Sequence, residues 1–290
     1  MAAPVATPAR RRGPWAEIAV RGMLIAFEEN SWREGTAIEI RGKSLGGDTP
    51  LICTPLVGKT RERVLAEAAV VMAKDPDVIE WRVDYFAAIA DTAAVLETGR
   101  ALRAATGDLP IIFTRRSIRE GGETIAIGDA EVVKLYDAVG ASGLVDLLDF
   151  EMSNDPDHVR SVRETARKHG AKVILSYHNF GYTPGVDFLV QRFLEAERLG
   201  ADVAKVAVMP RDRADVLTLL AATAQAAAKA RIPLISMSMG PLGAVTRMIG
   251  GVFGSSLSFA VGEGSSAPGQ MPIADLRAVY EVIGRARGGR

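Results

Sequence analysis

Two residues of this chain, Lys205 and His178, have side chains suited to covalent and proton-transfer chemistry. Lys205 lies inside the apolar run Asp202–Val208, where a lysine is costly unless it has a role. Burial and nearby cations favour the neutral amine of a lysine. Such an amine can attack a ketone and form an imine. The pattern alone leaves open that Lys205 points outward between helices or pairs with a carboxylate.

His178 follows the apolar run Lys172–Tyr177, and of the three histidines it alone stands at the end of a predicted strand. Imidazole titrates near neutral pH, which makes His178 the natural general acid and base. His158 and His169 fall in a charged helical stretch, and we expect them to be solvated. A buried structural histidine is the alternative interpretation of His178.

Arginines near three predicted strand ends, Arg82, Arg116 and Arg247, indicate an anionic substrate. A guanidinium binds a carboxylate through two parallel hydrogen bonds, although a single arginine is more often part of a structural ion pair. A metal site is the weaker hypothesis, because the chain has one cysteine, no HExxH motif and no histidine cluster at ligand spacing.

Short β-rich runs alternate with amphipathic helical segments from Thr49 onward. Eight runs are predicted strands: Leu51–Pro55, Val78–Val83, Pro110–Thr114, Leu144–Phe150, Lys172–Tyr177, Asp202–Val208, Pro233–Met237 and Ser255–Ala260. Six segments are predicted helices: Arg61–Ala73, Asp129–Val139, Pro156–His169, Phe188–Leu199, Ala214–Ala230 and Ile273–Arg285. Strands that alternate with helices about every 30 residues predict a parallel sheet, and eight such units predict a single (β/α)8 TIM barrel. An open doubly wound sheet is the alternative, but no GxGxxG turn follows the first strand.

The composition limits where this protein works and what it binds. Apolar residues make up 48 % of 290 residues and the formal net charge is zero, which argues against a nucleic-acid partner. No run reaches the roughly 20 apolar residues that span a bilayer, so we expect no membrane partner. The one cysteine, Cys53, allows no internal disulfide and fits a reducing, cytoplasmic location.

Residues 1–35 are predicted to be a poorly ordered N-terminal arm, and residues 36–290 one catalytic barrel. The arm carries the basic cluster 10–12, but Glu17 and Arg21 interrupt the apolar stretch that an export signal requires. A start of translation at Met23 is the alternative.

Five motifs resemble those of type I 3-dehydroquinate dehydratases, and they occur in order and at family-like spacing. They are Glu80-Trp81-Arg82-Val83-Asp84, Ser176-Tyr177-His178-Asn179-Phe180, Lys205-Val206-Ala207-Val208-Met209-Pro210, Phe253-Gly254-Ser255 and Ser266-Ala267-Pro268-Gly269-Gln270. Each motif is moderately specific by itself, and the ordered set is highly specific. The resemblance extends from about Ile38 to the C-terminus and leaves out the arm.

The resemblance implies a (β/α)8 barrel, usually a homodimer, that acts on the small molecule 3-dehydroquinate in the shikimate pathway of aromatic amino acid synthesis without a metal or cofactor. The family's imine-forming lysine falls on Lys205, its acid/base histidine on His178, and the glutamate that orients the histidine on Glu120. Its substrate-carboxylate contacts fall on Arg247, Ser266 and Gln270, and its ring-hydroxyl contacts on Glu80, Arg82 and Arg116.

The chain departs from the family pattern at two positions. Thr246 stands where serine is frequent, which is a conservative change. Pro55 stands where some members have a serine near the substrate, so one polar contact is expected to be missing or to come from Thr54. We expect Asp149 and Glu151, at the fourth strand, to lie behind the substrate-contacting residues or to pair with a barrel arginine.

Two other functions fit part of the pattern. A class I aldolase shares the imine-forming lysine, but the Glu80–Asp84 and Ser266–Gln270 segments argue against it. A sensor of shikimate-pathway intermediates should have lost the lysine or the histidine, and this chain keeps both.

Overall fold

The computed structural model describes residues 36–288, so the predicted arm lies outside the described residues. Ten strands are described: β1 (Ile38–Ile40), β2 (Lys43–Leu45), β3 (Leu51–Leu56), β4 (Val78–Arg82), β5 (Ile111–Thr114), β6 (Leu147–Glu151), β7 (Lys172–Asn179), β8 (Val203–Val208), β9 (Leu234–Ser238) and β10 (Leu257–Phe259). Eight α-helices are described: α1 (Arg61–Met72), α2 (Thr92–Thr106), α3 (Asp129–Ser142), α4 (Pro156–His169), α5 (Val186–Arg198), α6 (Arg213–Ala227), α7 (Gly240–Ile249) and α8 (Ile273–Ala286).

Eight of these strands form one parallel sheet in the order β10-β3-β4-β5-β6-β7-β8-β9. The two ends of this order meet through a parallel bridge between Leu234 of β9 and Ser255, which lies two residues before β10. The Ser255 hydroxyl extends this seam, because it accepts a hydrogen bond from the Ser236 amide at 3.0 Å. The predicted (β/α)8 barrel is therefore confirmed, and the open doubly wound sheet is wrong.

The order of the predicted elements is confirmed, whereas the first and last residues of several of them differ from the prediction. Two helices, α2 and α7, were not among the predicted ones. Asp91 begins α2 by accepting hydrogen bonds from the Ala93 and Ala94 amides. Strand β7 continues two residues beyond its predicted end at Tyr177, so His178 lies within the strand rather than after it.

A β-hairpin that was not predicted, β1–β2, closes the N-terminal end of the barrel. Its side chains Ile40 and Leu45 pack into the apolar interior. Arg41 and Lys43 pair with Asp146 and Asp77, which directly precede the barrel strands β6 and β4, at 2.5 and 3.0 Å. The hairpin thus covers the end of the barrel that lies opposite the predicted site.

The barrel interior is arranged in layers, because alternate side chains of each strand point to the same face. The inward side chains nearer the N-terminal ends of the strands are apolar, and they include Cys53, Val78, Ile112, Leu147, Ile174, Val203, Ile235 and Leu257. Two residues further along their strands, the next inward positions of β4, β6 and β8 are Glu80, Asp149 and Lys205. The alternation therefore brings charged side chains to the C-terminal ends of the strands. Among the described residues, no helix is long and apolar enough to cross a membrane.

Candidate active site

A cavity of about 410 Å³ opens at the C-terminal ends of the barrel strands, which is where α/β barrels carry their reactive groups. All nine residues predicted for the site line it: Glu80, Arg82, Arg116, Glu120, His178, Lys205, Arg247, Ser266 and Gln270. The structure therefore brings the whole predicted set together. Their individual roles stay predictions.

Lys205 stands on the floor of this cavity, on β8. Its side chain points into the barrel and is 3 % exposed, which removes the interpretation that it points outward between helices. Its Nζ atom donates to Asp149 Oδ2 at 2.7 Å and lies 3.4 Å from Glu80 Oε1. The Phe259 ring lies beside the amine, with its centroid 4.5 Å from Nζ. The lysine is therefore both in the cavity and paired with carboxylates.

Asp149 is the residue whose importance sequence reasoning missed. It is fully buried, and besides Lys205 it accepts hydrogen bonds from Ser176 Oγ at 2.6 Å and Arg116 Nη2 at 2.8 Å. Burial acts to raise the pKa of Asp149, but the positive charges of Arg116 and Lys205 outweigh it, and the pKa lies well below its usual range. Asp149 does not line the cavity, and it contacts Lys205 from behind while it pairs with Arg116, so both forms of the expectation for Asp149 are confirmed.

His178 and Glu120 form a hydrogen-bonded pair at the wall of the cavity. Nδ1 of His178 lies 2.9 Å from Glu120 Oε2, and the His178 backbone amide donates to the same oxygen at 3.0 Å. Burial and the negative charge of Glu151 raise the pKa of Glu120 to about 7. Burial and the charges of Arg116 and Lys205 lower the pKa of His178 well below its usual value. The imidazole is therefore neutral near pH 7, as a general base must be.

Glu120 owes its position to a short 3₁₀ turn, Ile118–Glu120, that ends at Gly121. Gly121 has a φ of +83°, which glycine adopts without strain. A Cβ atom built there would lie 2.3 Å from the ring of Phe180, which lines the cavity. Glycine is thus required for the close approach of Phe180 to the turn.

Arg116 links the carboxylates around the lysine. Besides Asp149, its terminal nitrogens donate to Ser176 Oγ at 2.8 Å and to Glu151 Oε1 at 3.3 Å. Its side chain is buried. Arg116 therefore holds the acidic residues of β6 in place, in addition to the predicted contact with a substrate hydroxyl.

Arg82 and Arg247 differ in how they are paired. Arg82 forms a two-pronged ion pair with Asp84, at 2.8 and 2.9 Å. Arg247 is 1 % exposed and donates only to neutral groups, among them the carbonyls of Phe259 and Pro268 at 3.4 and 3.3 Å. Burial lowers the pKa of Arg247 to about 10. Within residues 36–288, no carboxylate pairs with Arg247, so its charge is available to an anion.

The segment that carries Ser266 and Gln270 covers one side of the cavity. Gln270 Nε2 donates to Ser266 Oγ at 3.3 Å, and Ser265 Oγ lies 2.9 Å from Gln270 Oε1. The Ser266 carbonyl accepts a hydrogen bond from Arg82 Nη1 at 3.4 Å, so the segment is joined to the end of β4. Both predicted side chains are half-buried and reach the cavity.

The two departures from the family pattern differ in their surroundings. Thr246 is buried away from the cavity, where its hydroxyl accepts from the Ser238 amide at 2.9 Å and donates to the Gly243 carbonyl at 2.7 Å. Thr54 is also buried, and its methyl group lies beside Gly262, outside the barrel. Thr54 therefore does not supply a polar contact in place of the serine that Pro55 replaces.

The described part of the chain contains no group of three or more histidine, cysteine, aspartate or glutamate side chains arranged to hold a metal ion. The two carboxylates that line the cavity instead have cationic neighbours: Glu80 lies 3.4 Å from Lys205, and Glu120 lies 3.9 Å from Arg116. The chemistry that the arrangement supports is imine formation at an amine, with proton transfer by a neutral imidazole.

Comparisons with known proteins give one consistent family. The family profile described as Type I 3-dehydroquinase matches residues 52–287. A protein of Albidiferax ferrireducens named 3-dehydroquinate dehydratase is 54 % identical over 252 residues, which is 87 % of this chain and 96 % of that one. A protein of Geobacillus thermodenitrificans with the same name is 49 % identical over 247 residues, 85 % of this chain and 96 % of that one.

Two solved structures agree with these sequence matches. The crystal structure of 3-dehydroquinate dehydratase from Geobacillus kaustophilus superposes with a TM-score of 0.85 at 46 % identity, and covers 86 % of this chain and 96 % of that one. The Clostridium difficile type I 3-dehydroquinate dehydratase, solved with covalently modified comenic acid, has a TM-score of 0.84 at 35 % identity, and covers 87 % of this chain and all of that one.

Proposed function

This chain belongs to the type I 3-dehydroquinase family, and we propose from that premise how its side chains remove water from 3-dehydroquinate. The enzyme is a hydro-lyase that forms 3-dehydroshikimate through a lysine imine, a reaction of the shikimate pathway. The observation that carries the assignment of roles is a buried amine, Lys205 Nζ, in one cavity with a histidine–carboxylate pair and an unpaired arginine.

Lys205 is the residue that forms the imine. The Lys205 ammonium gives a proton to His178 when the substrate binds, and the neutral amine attacks the C3 ketone. The protonated imidazole returns this proton to the carbinolamine oxygen, which leaves as water when the C=N bond forms. Asp149 Oδ2, 2.7 Å away, and Glu80 Oε1, 3.4 Å away, stabilise the positively charged iminium. The iminium withdraws electrons from C2, so the C2 proton becomes easier to remove.

His178 moves the protons. With Nδ1–H donating to Glu120, Nε2 has a free electron pair and takes the C2 proton, which leaves a neutral enamine on Lys205. The enamine then expels the C1 hydroxyl, and His178 returns the proton so that the hydroxyl leaves as water. One residue serves both steps because the elimination is syn. Hydrolysis of the product imine frees Lys205.

The remaining residues bind the substrate. Arg247, with no carboxylate partner, binds the substrate carboxylate together with Ser266 and Gln270. Glu80, Arg82 and Arg116 contact the ring hydroxyls and hold C2 near His178. These contacts hold the ring in the orientation that reacts and disfavour other orientations.

We also propose that the enzyme is a cytoplasmic homodimer. The buried thiol of Cys53 supports a reducing compartment, and the family resemblance supports the dimer. Size-exclusion chromatography with light scattering tests the dimer. A molar mass of one chain at micromolar concentration would refute it.

Borohydride trapping tests the covalent mechanism directly. The full chain is incubated with 3-dehydroquinate, reduced with borohydride, digested, and mapped by mass spectrometry. We expect a reduced adduct on Lys205 with the mass of the dehydrated substrate, and none in Lys205→Met. His178→Ala should still form an adduct, but one of undehydrated mass, with turnover lowered roughly 10²–10⁴-fold because proton transfer is lost.

Other results would contradict these roles. An adduct on an exposed lysine such as Lys59 would exclude Lys205 as the nucleophile. Near wild-type turnover in His178→Ala would exclude the acid/base role. No adduct in folded wild-type protein would exclude the imine altogether.

A further inference from the structure

The carboxylate of Glu120 has two oxygens, and the proposed mechanism uses only one of them. Oε2 accepts both hydrogen bonds from His178. Oε1 accepts a hydrogen bond from the hydroxyl of Ser153 at 2.6 Å. Ser153 lies in the loop between β6 and α4, and it does not line the cavity. Nothing in the chemistry described above involves this hydroxyl.

A second contact joins the same two segments. Asn154, the next residue, accepts a hydrogen bond from Arg119 Nη2 at 3.1 Å, and Arg119 is the neighbour of Glu120. The Asn154 side chain also donates to the Glu151 carbonyl at 3.1 Å. Two consecutive loop residues thus bind two consecutive residues of the 3₁₀ turn. This two-point attachment restrains the turn that carries Glu120.

We propose that Ser153 is a positioning residue whose hydroxyl holds Glu120 ionised and oriented, so that His178 keeps its proton on Nδ1 and leaves Nε2 free for the substrate. This inference rests on the proposed roles of His178 and Glu120. Ser153 acts through Glu120 and touches neither the substrate nor the lysine.

The surroundings of Glu120 explain why one hydroxyl matters. The charged and titratable groups that face it are Arg116 from the same segment, Glu151 from β6 and His178 from β7. Burial and Glu151 raise the pKa of Glu120, whereas Arg116, the Ser153 hydroxyl and the His178 amide oppose this rise. With the pKa already at about 7, Glu120 is near the point where it takes up a proton.

Protonation of Glu120 would disable the histidine. A protonated carboxyl donates its hydrogen to Nδ1, so the proton of the neutral imidazole moves to Nε2 and the base is lost. Loss of the Ser153 hydroxyl raises the pKa of Glu120, because it removes a donor that favours the charged form. Activity should then fall first on the acidic side of the pH profile.

The test is the pH profile of kcat and KM in the full-length enzyme, from about pH 5 to pH 9, for wild type, Ser153→Ala and Ser153→Thr. We expect the acid limb of kcat in Ser153→Ala to move up by about half to one pH unit, which is a roughly three- to tenfold loss near pH 6. The alkaline plateau and KM should stay within about twofold. Ser153→Thr, which keeps a hydroxyl, should restore the wild-type limb.

A matched control is Ser142→Ala, because the Ser142 hydroxyl has its partners at the end of α3, where it donates to the Val139 carbonyl and accepts from the Leu144 amide. Its profile should match the wild type. A Ser153→Ala profile that superposes on the wild type would overturn the proposal. So would an equal loss at every pH that Ser153→Thr does not restore, since that pattern indicates a general structural defect.

Glu120→Gln, measured in parallel, separates this inference from the proposed function. Wild-type activity in Glu120→Gln would refute the role of Glu120 itself, and with it the role of Ser153. A large loss in Glu120→Gln beside an unchanged Ser153→Ala profile would refute the role of Ser153 alone.

Discussion

Replacing Asp149 by asparagine should destabilise the whole barrel, because this one carboxylate neutralises two buried cations. Its oxygens accept from three donors: Arg116 Nη2 at 2.8 Å, Ser176 Oγ at 2.6 Å and Lys205 Nζ at 2.7 Å. An asparagine has one acceptor oxygen, so its NH₂ group must face Lys205 or the Arg116–Ser176 side. Either orientation places a buried donor against a donor, in addition to the loss of the charge.

The size of the effect follows from the partners that remain. Removing one partner of a buried ion pair costs about 3–5 kcal/mol of the free energy of unfolding. In Asp149→Asn the cations keep weaker partners, since Glu80 lies 3.4 Å from Lys205 and Glu151 lies 3.3 Å from Arg116. We therefore expect a loss at the lower end of this range, about 3 kcal/mol of the free energy of unfolding. This is a large share of the roughly 5–15 kcal/mol that stabilises a folded domain.

Urea unfolding followed by tryptophan fluorescence measures this loss, since Trp81 is buried on β4 of the same barrel. Asp202→Asn is the matched control. Asp202 pairs with Lys172 at 3.2 Å, but both side chains are about a third or more exposed, so less than about 1 kcal/mol should be lost. If Asp149→Asn unfolds at the same urea concentration as Asp202→Asn, the buried charge does not stabilise the fold as argued.

Three further predictions follow from the site. Arg247→Lys keeps the charge but loses the ability to form two parallel hydrogen bonds with the substrate carboxylate. KM for 3-dehydroquinate should therefore rise about tenfold, with a smaller change in kcat. A loss confined to kcat would contradict the carboxylate-binding role. Gly121→Ala should lower both stability and kcat, because the residue has a φ of +83° and its Cβ would meet Phe180 at 2.3 Å; an unchanged melting temperature and kcat would refute this. The folded-state pKa values of Asp149 and Asp84 lie below their unfolded values, so their contribution to stability is present above about pH 4 and is lost as the pH falls further. Urea titrations at several pH values should therefore show that the free energy of unfolding falls less steeply with decreasing pH in Asp149→Asn than in the wild type. Equal slopes would exclude this dependence of stability on the pKa of Asp149.

The sequence by itself determined the class of fold, and it singled out Lys205 and His178 as the proposed reacting pair. Eight apolar runs alternating with helical segments specify a closed parallel barrel, because strands buried on both faces need helices around them. Lys205 and His178 stood out because each interrupts or ends such a run. These are local properties of the chain, and they remain readable without knowing which residues meet in space.

Only the tertiary structure decided which partners these residues have. Asp149 lies 56 residues from Lys205 and became its closest partner through the register of β6, β7 and β8. The two-residue alternation that turns Asp149 inward also turns Thr54 outward, and only the closed barrel defines which side is inside. Ser153 reaches Glu120 across 33 residues because the β6–α4 loop returns over the 3₁₀ turn. Hydrogen bonds of this kind form between whichever side chains the barrel brings within about 3 Å, so strand order and register determine them, whereas composition and periodicity do not.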